Sequence, residues 1–287
     1  MQKIQRYKES FMHGVFFLSA LASIFAVLLI CVFLFANGFE GMKKIGFISF
    51  LFGTEWSPMD EPPVFGILPM IVGSIYITAG AIILGVPVGI LTAIYMAEFC
   101  SKRIYKFLKP AINLMAGIPS VVYGFFGMVA IVPFIREHIG GNGNSILAAS
   151  ILLGIMILPT IIAISESAIR AVPRSYYEGS LALGASHERS VFFSVLPAAK
   201  SGVLASVILG VGRAIGETMA VIMVAGNQAR MPVDILKGAR TLTANVVIEM
   251  GYAAELHREA LIATGVVLFV FILIINLSFS ILKRRER

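Results

Sequence analysis

A chain of 287 residues in which 58% are hydrophobic and only 14% charged carries too little polar surface to face water on all sides, so lipid must be its main solvent. The formal net charge of +7 does not point to nucleic acid, because the Lys and Arg residues punctuate apolar runs instead of gathering along one groove.

Six apolar segments are each long enough, at roughly 20 residues or more, to cross a hydrocarbon core of about 30 Å as a helix. The first runs from Val15 to Ala36. Its basic head and the Ala20-Leu21-Ala22 triplet resemble a signal peptide, but the apolar run outlasts the roughly 7 to 15 residues of a cleavable core, so a retained helix is expected. The external loop Asn37 to Pro63 holds the only tryptophan, Trp56, which is expected at the headgroup level, with docking of a partner as the other reading. The second segment, Val64 to Ala97, has no charged residue and is long enough to predict a tilt or a kink near Gly85, Pro87 and Gly89.

Pro110 to Ile135 is the third expected span, Ile146 to Ser165 the fourth, Ser201 to Gly226 the fifth and Ala260 to Leu282 the sixth. The Gly140-Gly141-Asn142-Gly143-Asn144 run reads as an external turn; a nest of backbone amides for an anion is the alternative. Glu166 to Lys200 is long for a helix connection and reads as two short helices lying at the membrane surface. Pro173 starts the first, Gly184 breaks the run, and Val191, Phe192, Val195 and Leu196 lead through Pro197 back into the bilayer.

Short loops rich in cations stay in the cytoplasm. Lys3, Arg6 and Lys8 at the start, Lys102, Arg103, Lys106 and Lys109, then Arg170, Arg174, Arg189 and Lys200, and finally Lys283, Arg284, Arg285 and Arg287 outnumber the cations on the other side. Both termini are therefore expected in the cytoplasm. Cys31 and Cys100 fall near opposite faces of the membrane, which argues against a disulfide. The expected fold class is an all-α membrane protein of six transmembrane helices. Residues 1–63 form an N-terminal part with the first helix and the external loop, and residues 64–287 the core with the surface hairpin 166–200.

Only the fifth span carries internal charges, Arg213 and Glu217, four residues apart and so on one face of a continuous helix. A charge at mid-bilayer costs roughly 2.5 to 3.5 kcal/mol even on the lenient insertion scale, so each must face a partner or a wet cavity. Gly212 and Gly216 make a small face beside them that predicts close approach of another helix. The planar donor fork of a guanidinium suits two oxygens of a tetrahedral oxyanion and keeps its charge in any environment. On this reading Glu217 neutralises Arg213 when the pathway is empty; a purely structural ion pair is the alternative. Ser120, Tyr123 and Thr218 are hydroxyl donors along the same path, or simply bond backbone.

No phosphate-cradling GxxxxGK[ST] occurs, and none of His13, His138, His187 and His257 falls in an HExxH pattern, so neither ATP binding nor catalysis nor a metal site is expected in this chain. His187-Glu188-Arg189 reads as a polar surface.

Glu178-Gly179-Ser180, Gly184 six residues after Glu178, and Leu196-Pro197, with Pro197 thirteen after Gly184, resemble the EAA loop of ABC importer permeases, with Gly-Ser in place of the usual Ala-Ala. Gly-Arg-Ala-Ile-Gly-Glu-Thr-Met-Ala-Val from Gly212, Ala116 to Gly124, and Phe52-Gly53-Thr54-Glu55-Trp56 are similar to the PstC type of permease in the phosphate-specific branch. The resemblance implies a type I ABC importer (MetI-like) permease fold and phosphate as substrate. The Arg-Ala-x-Gly-Glu core is shared with sulfate and molybdate permeases, which stay as alternatives. It further implies a PstA-like sister permease, a PstB-like ATPase dimer that binds ATP and Mg and grips the Glu178 to Pro197 loop, and a PstS-like periplasmic binding protein. An ion-coupled secondary transporter is the rival of another class.

Overall fold

Each long apolar run becomes a helix, since backbone polar groups inside lipid have no water to bond and must be satisfied within the segment. The computed structural model describes residues 2–285; Arg287, one of the cations used above for orientation, lies outside the described residues. In chain order come α1 (Gln2–Ile45), α2 (Phe47–Phe52), the antiparallel pair β1 (Trp56–Ser57) and β2 (Val64–Phe65), α3 (Leu68–Ile94) and α4 (Lys102–Gly117). They are followed by α5 (Ser120–Phe126), α6 (Val132–His138), α7 (Ile146–Arg170), α8 (Arg174–Ala182), α9 (His187–Ser190), α10 (Leu196–Gly216), α11 (Met219–Val224), α12 (Leu242–Glu249) and α13 (Glu255–Arg285). Wider π-helical turns at Tyr95–Phe99, Gly127–Ile131 and Val191–Val195 extend or join neighbouring helices.

Six helical stretches among the described residues are long and apolar enough to span: Phe11–Ile45, Leu68–Phe99, Ser120–His138, Ile146–Arg170, His187–Gly216 and Glu255–Ser278. The number agrees with the sequence, but the bounds differ: the first helix runs on to Ile45, past Ala36 and into the expected external loop, and the fourth runs on to Arg170. The third span begins at Ser120, not Pro110, because Lys102 to Gly117 is a separate amphipathic helix whose basic side cannot enter hydrocarbon. Pro119 forces the preceding residue out of the helical region, and Ile118 accordingly sits at ψ 126°. The second span starts at Leu68, Val64 and Phe65 being in β2, and Pro87 lies inside a continuous α3. The fifth starts earlier and ends earlier than 201–226: α9, a π turn and α10 run together, and the helix stops at Gly216.

The most apolar stretch of α7 is 67% buried and that of α1 is 0% buried, which makes α7 the central helix and α1 the peripheral one. Helices in lipid gain no hydrophobic drive to associate, so close packing must hold them. At Gly85 an added Cβ would stand 2.7 Å from the carbonyl oxygen of Gly154, so α3 and α7 cross almost backbone to backbone. Ser150 of α7 donates to the carbonyl of Ile77 at 3.3 Å in the same seam. On the other side of α7, the Ser165 and Ser206 hydroxyls meet at 2.7 Å and fix α10. α1 leans on α13, with Phe35 edge-on to Phe269 and Lys44 bonded to Glu259 at 2.7 Å.

Trp56 does not present its ring to lipid headgroups. It is buried, and its Nε1 donates to Glu249 Oε2 at 2.9 Å. The same carboxylate meets His257 Nε2 at 2.8 Å and Arg240 Nη1 at 2.5 Å. A buried carboxylate is tolerable only when paired and bonded, and only a tryptophan with its indole turned inward completes this set. Cys31 and Cys100 are free.

Candidate transport pathway and coupling surface

The arginine of the fifth span is placed by the seam between α7 and α10. With Gly210 against Ile161 and the serine pair below it, Arg213 is held half-buried beside α7, where its Nη1 donates to Thr160 Oγ1 at 3.3 Å. Arg213 also lies within electrostatic range of Tyr123, whose hydroxyl donates to the Met115 carbonyl at 2.9 Å and so bridges the break between α4 and α5. Ser120 opens α5 and is half-buried.

The helical continuity assumed for Arg213 and Glu217 does not hold. Glu217 adopts φ −69° and ψ 131°, Thr218 follows at φ −120° and ψ −60°, and a new helix, α11, starts at Met219. The two side chains therefore do not share a helical face, and among the described residues they form no ion pair. The Glu217 carboxylate instead accepts from the Ala220 N–H at 3.2 Å, capping α11. Its carbonyl accepts from Thr243 Oγ1 at 3.2 Å, and Thr218 Oγ1 donates to the Gly216 carbonyl at 3.3 Å. Broken helices at membrane depth require such replacement bonds. The expected close helix approach at Gly212 and Gly216 is also absent within the chain: a Cβ at either would meet nothing within 4 Å. Arg213 is thus left with a neutral hydroxyl as its polar partner, next to an open helix face.

At the other end of the bundle, α8 and α9 form the hairpin read from sequence. Glu178 is exposed, Ser180 half-buried, and Gly179 has open space around its α-carbon. Gly184 turns the chain at φ +86°, a conformation that costs other residues roughly 1–2 kcal/mol, and Leu183 before it is 91% exposed. Leu196 and Pro197 are not in the hairpin itself but in the first turn of α10, directly after the π turn. His187 is more than polar surface: Tyr177 Oη meets its Nδ1 at 2.8 Å and ties α8 to α9.

Sequence reasoning missed two groups. Thr160 follows a mid-helix proline, Pro159, with nothing local to distinguish it from the other hydroxyls of α7. Glu166, the first residue of the expected loop, lies inside α7, is 1% exposed and accepts from Tyr105 Oη at 2.8 Å, from Arg170 Nε at 2.6 Å and from the Lys109 ammonium. Arg170 goes on to the Met96 carbonyl at 2.7 Å, so one carboxylate gathers α4, α7 and the end of the second span. The Glu166 and Arg170 spacing on α7 was the available clue. The Tyr105 phenol is pushed up from its ordinary value by that hydrogen bond and by burial.

Residues 85–287 match the family described as binding-protein-dependent transport system inner membrane component. The chain is 40% identical over 266 residues to the probable ABC transporter permease protein YqgH of Bacillus subtilis, covering 90% of this chain and 86% of that one. It is 33% identical over 267 residues to the phosphate transport system permease protein PstC of Mesorhizobium japonicum, covering 86% and 81%. The fold is similar to that of the alginate ABC transporter in complex with a pentasaccharide-bound periplasmic protein, with TM-score 0.62 at 18% identity over 91% of this chain and 94% of that one. An inward-facing MetNI methionine transporter chain gives TM-score 0.58 at 20% identity, covering 77% and 94%. With the EAA-like hairpin and the interrupted fifth span already in place, these likenesses settle the class: the chain belongs to the binding-protein-dependent inner membrane components, as a multi-pass permease subunit of an ABC importer and not itself an enzyme.

Proposed function

We propose that this permease moves inorganic phosphate across the inner membrane, with Arg213 as the residue that meets the anion. The observation that supports this most is the guanidinium left without a carboxylate partner: Arg213 bonds the neutral Thr160, and Glu217 is turned away to cap α11. A fixed, half-buried cation of this kind favours a multivalent oxyanion and repels cations. Glu217 then shapes the break that exposes the arginine and, turned to the Ala220 N–H, does not neutralise it. Thr218, Ser120 and Tyr123 flank the same path. Similarity to PstC permeases, at 33% identity over most of the chain, favours phosphate over sulfate or molybdate.

On this reading the termini and the α8–α9 hairpin face the cytoplasm, and Glu178, Gly179, Ser180 and Gly184 enter a cleft on a PstB-like ATPase that binds ATP and Mg. Leu196 and Pro197 carry the movement into α10. A PstA-like permease covers the open face at Gly212 and Gly216, and a PstS-like protein delivers phosphate from outside. The test is uptake of radiolabelled phosphate and sulfate by cells whose only importer contains this subunit. Phosphate should accumulate, sulfate should not, and Arg213→Gln should abolish uptake while the complex still assembles; undiminished phosphate uptake by that variant refutes the assignment.

A further inference from the structure

Between α4 and the α8–α9 hairpin lies a cleft of about 630 Å³ lined by Lys102, Lys106, Arg170, Arg174 and His187 against one carboxylate, Glu98. Arg170 is committed to Glu166 and the Met96 carbonyl, and His187 to Tyr177. Lys102, Lys106 and Arg174 have no carboxylate partner among the described residues. Lys102 stands in the first turn of α4, whose amino end, capped by Ser101, adds the positive end of a 16-residue helix. Like charges held this close are unfavourable without a counter-ion, so the cleft calls for an anion.

Position says which anion. One wall is the last turn of the second span, Ala97 to Cys100, so the cleft sits where that span leaves hydrocarbon. α4 runs on from it with Phe107 77% and Leu114 74% exposed, one helical face apart from the lysines lining the cleft. Unpaired cations beside an exposed apolar strip suit a molecule that is anionic at one end and acyl at the other. We propose that this cleft binds the headgroup of an anionic phospholipid, its phosphate oxygens taken by Lys102, Lys106 and Arg174 and its acyl chains lying along Phe107 and Leu114. Because α8 forms the facing wall, the bound lipid ties the hairpin to the bilayer surface.

The experiment uses the purified full transporter in nanodiscs of phosphatidylcholine with a minority of phosphatidylglycerol. The lipid that stays bound after delipidation is counted by native mass spectrometry. The wild type should retain phosphatidylglycerol preferentially, and Lys102→Gln with Lys106→Gln should lower that preference by more than about tenfold, near fivefold per cation. Arg103→Gln, which removes a charge of α4 outside the cleft, should leave it intact, as should the double Lys→Arg variant, which controls for misfolding. Equal loss in the Arg103 variant, or no retention by wild type because a partner subunit covers α4, overturns the proposal. So does saturable binding of inorganic phosphate to the delipidated transporter that the double Gln variant loses, since the site would then serve a free anion.

Discussion

The Trp56 indole donates to the Glu249 carboxylate at 2.9 Å and thereby joins two residues 193 positions apart. The bond pins the β1–β2 hairpin to α12, and through His257 and Arg240 to α13 and the loop before α12. The end of the bundle opposite the α8–α9 hairpin is therefore closed by a polar network around one buried carboxylate.

Trp56→Phe keeps the aromatic packing and removes the donor. It should cost about 1–3 kcal/mol and lower the thermal midpoint of the purified complex, and Trp56→Ala should cost more, about 3–5 kcal/mol, by leaving a cavity as well. An unchanged midpoint in Trp56→Phe would show that Glu249 does not depend on the indole.

Glu166 is buried while its partners Lys109 and Arg170 are 32% and 44% exposed, so the cations can turn to water when the carboxylate is lost. The cost of Glu166→Gln should therefore fall below the roughly 3–5 kcal/mol of a wholly buried pair. Its more local effect is release of α4 from α7, seen as faster trypsin cleavage after Lys102, Arg103 and Lys106 in the purified complex. Cleavage at the wild-type rate would argue that packing alone seats α4.

Thr160 orients Arg213 through one hydroxyl at 3.3 Å. Thr160→Val should raise the phosphate concentration for half-maximal uptake roughly fivefold, the equivalent of about 1 kcal/mol of lost positioning, and Thr160→Ser should restore it. If Val and Ser behave alike, the hydroxyl plays no part in holding the guanidinium.

Gly184 and Gly179 separate backbone demand from contact with a partner. Gly184→Ala introduces a strained φ and should weaken stimulation of ATPase activity by the binding protein even where the complex assembles. Gly179 has free space in this chain, so Gly179→Leu should leave the subunit's own folding intact and hinder its assembly with the ATPase. Normal assembly of Gly179→Leu would place the docking surface elsewhere.

Much of this architecture is legible in the sequence, and what is not has physical causes. Averaging hydropathy over a whole segment merged Pro110 to Gly117 with the third span, although Lys102, Lys106 and Lys109 already marked one side of a surface helix. The spacing of Arg213 and Glu217 presumes an unbroken helix, while Gly216 directly before the break is one of many glycines in the spans and carries no proline beside it to mark a stop at Glu217 and Thr218. That break depends on an Oγ1 donor from Thr243, distant in sequence.

The sequence alone determined the number of spans, the membrane as solvent, the surface hairpin turning at Gly184 and the presence of a rare intramembrane arginine. These follow from segment length, composition and single-residue backbone preferences, which are local. The tertiary structure decided which carboxylate meets which cation: Glu217 turns away from Arg213, Glu166 gathers Lys109 and Arg170, and Glu249 draws Trp56 inside. A hydrogen bond is fixed by distance and angle between groups that packing brings together, and no spacing along the chain encodes that.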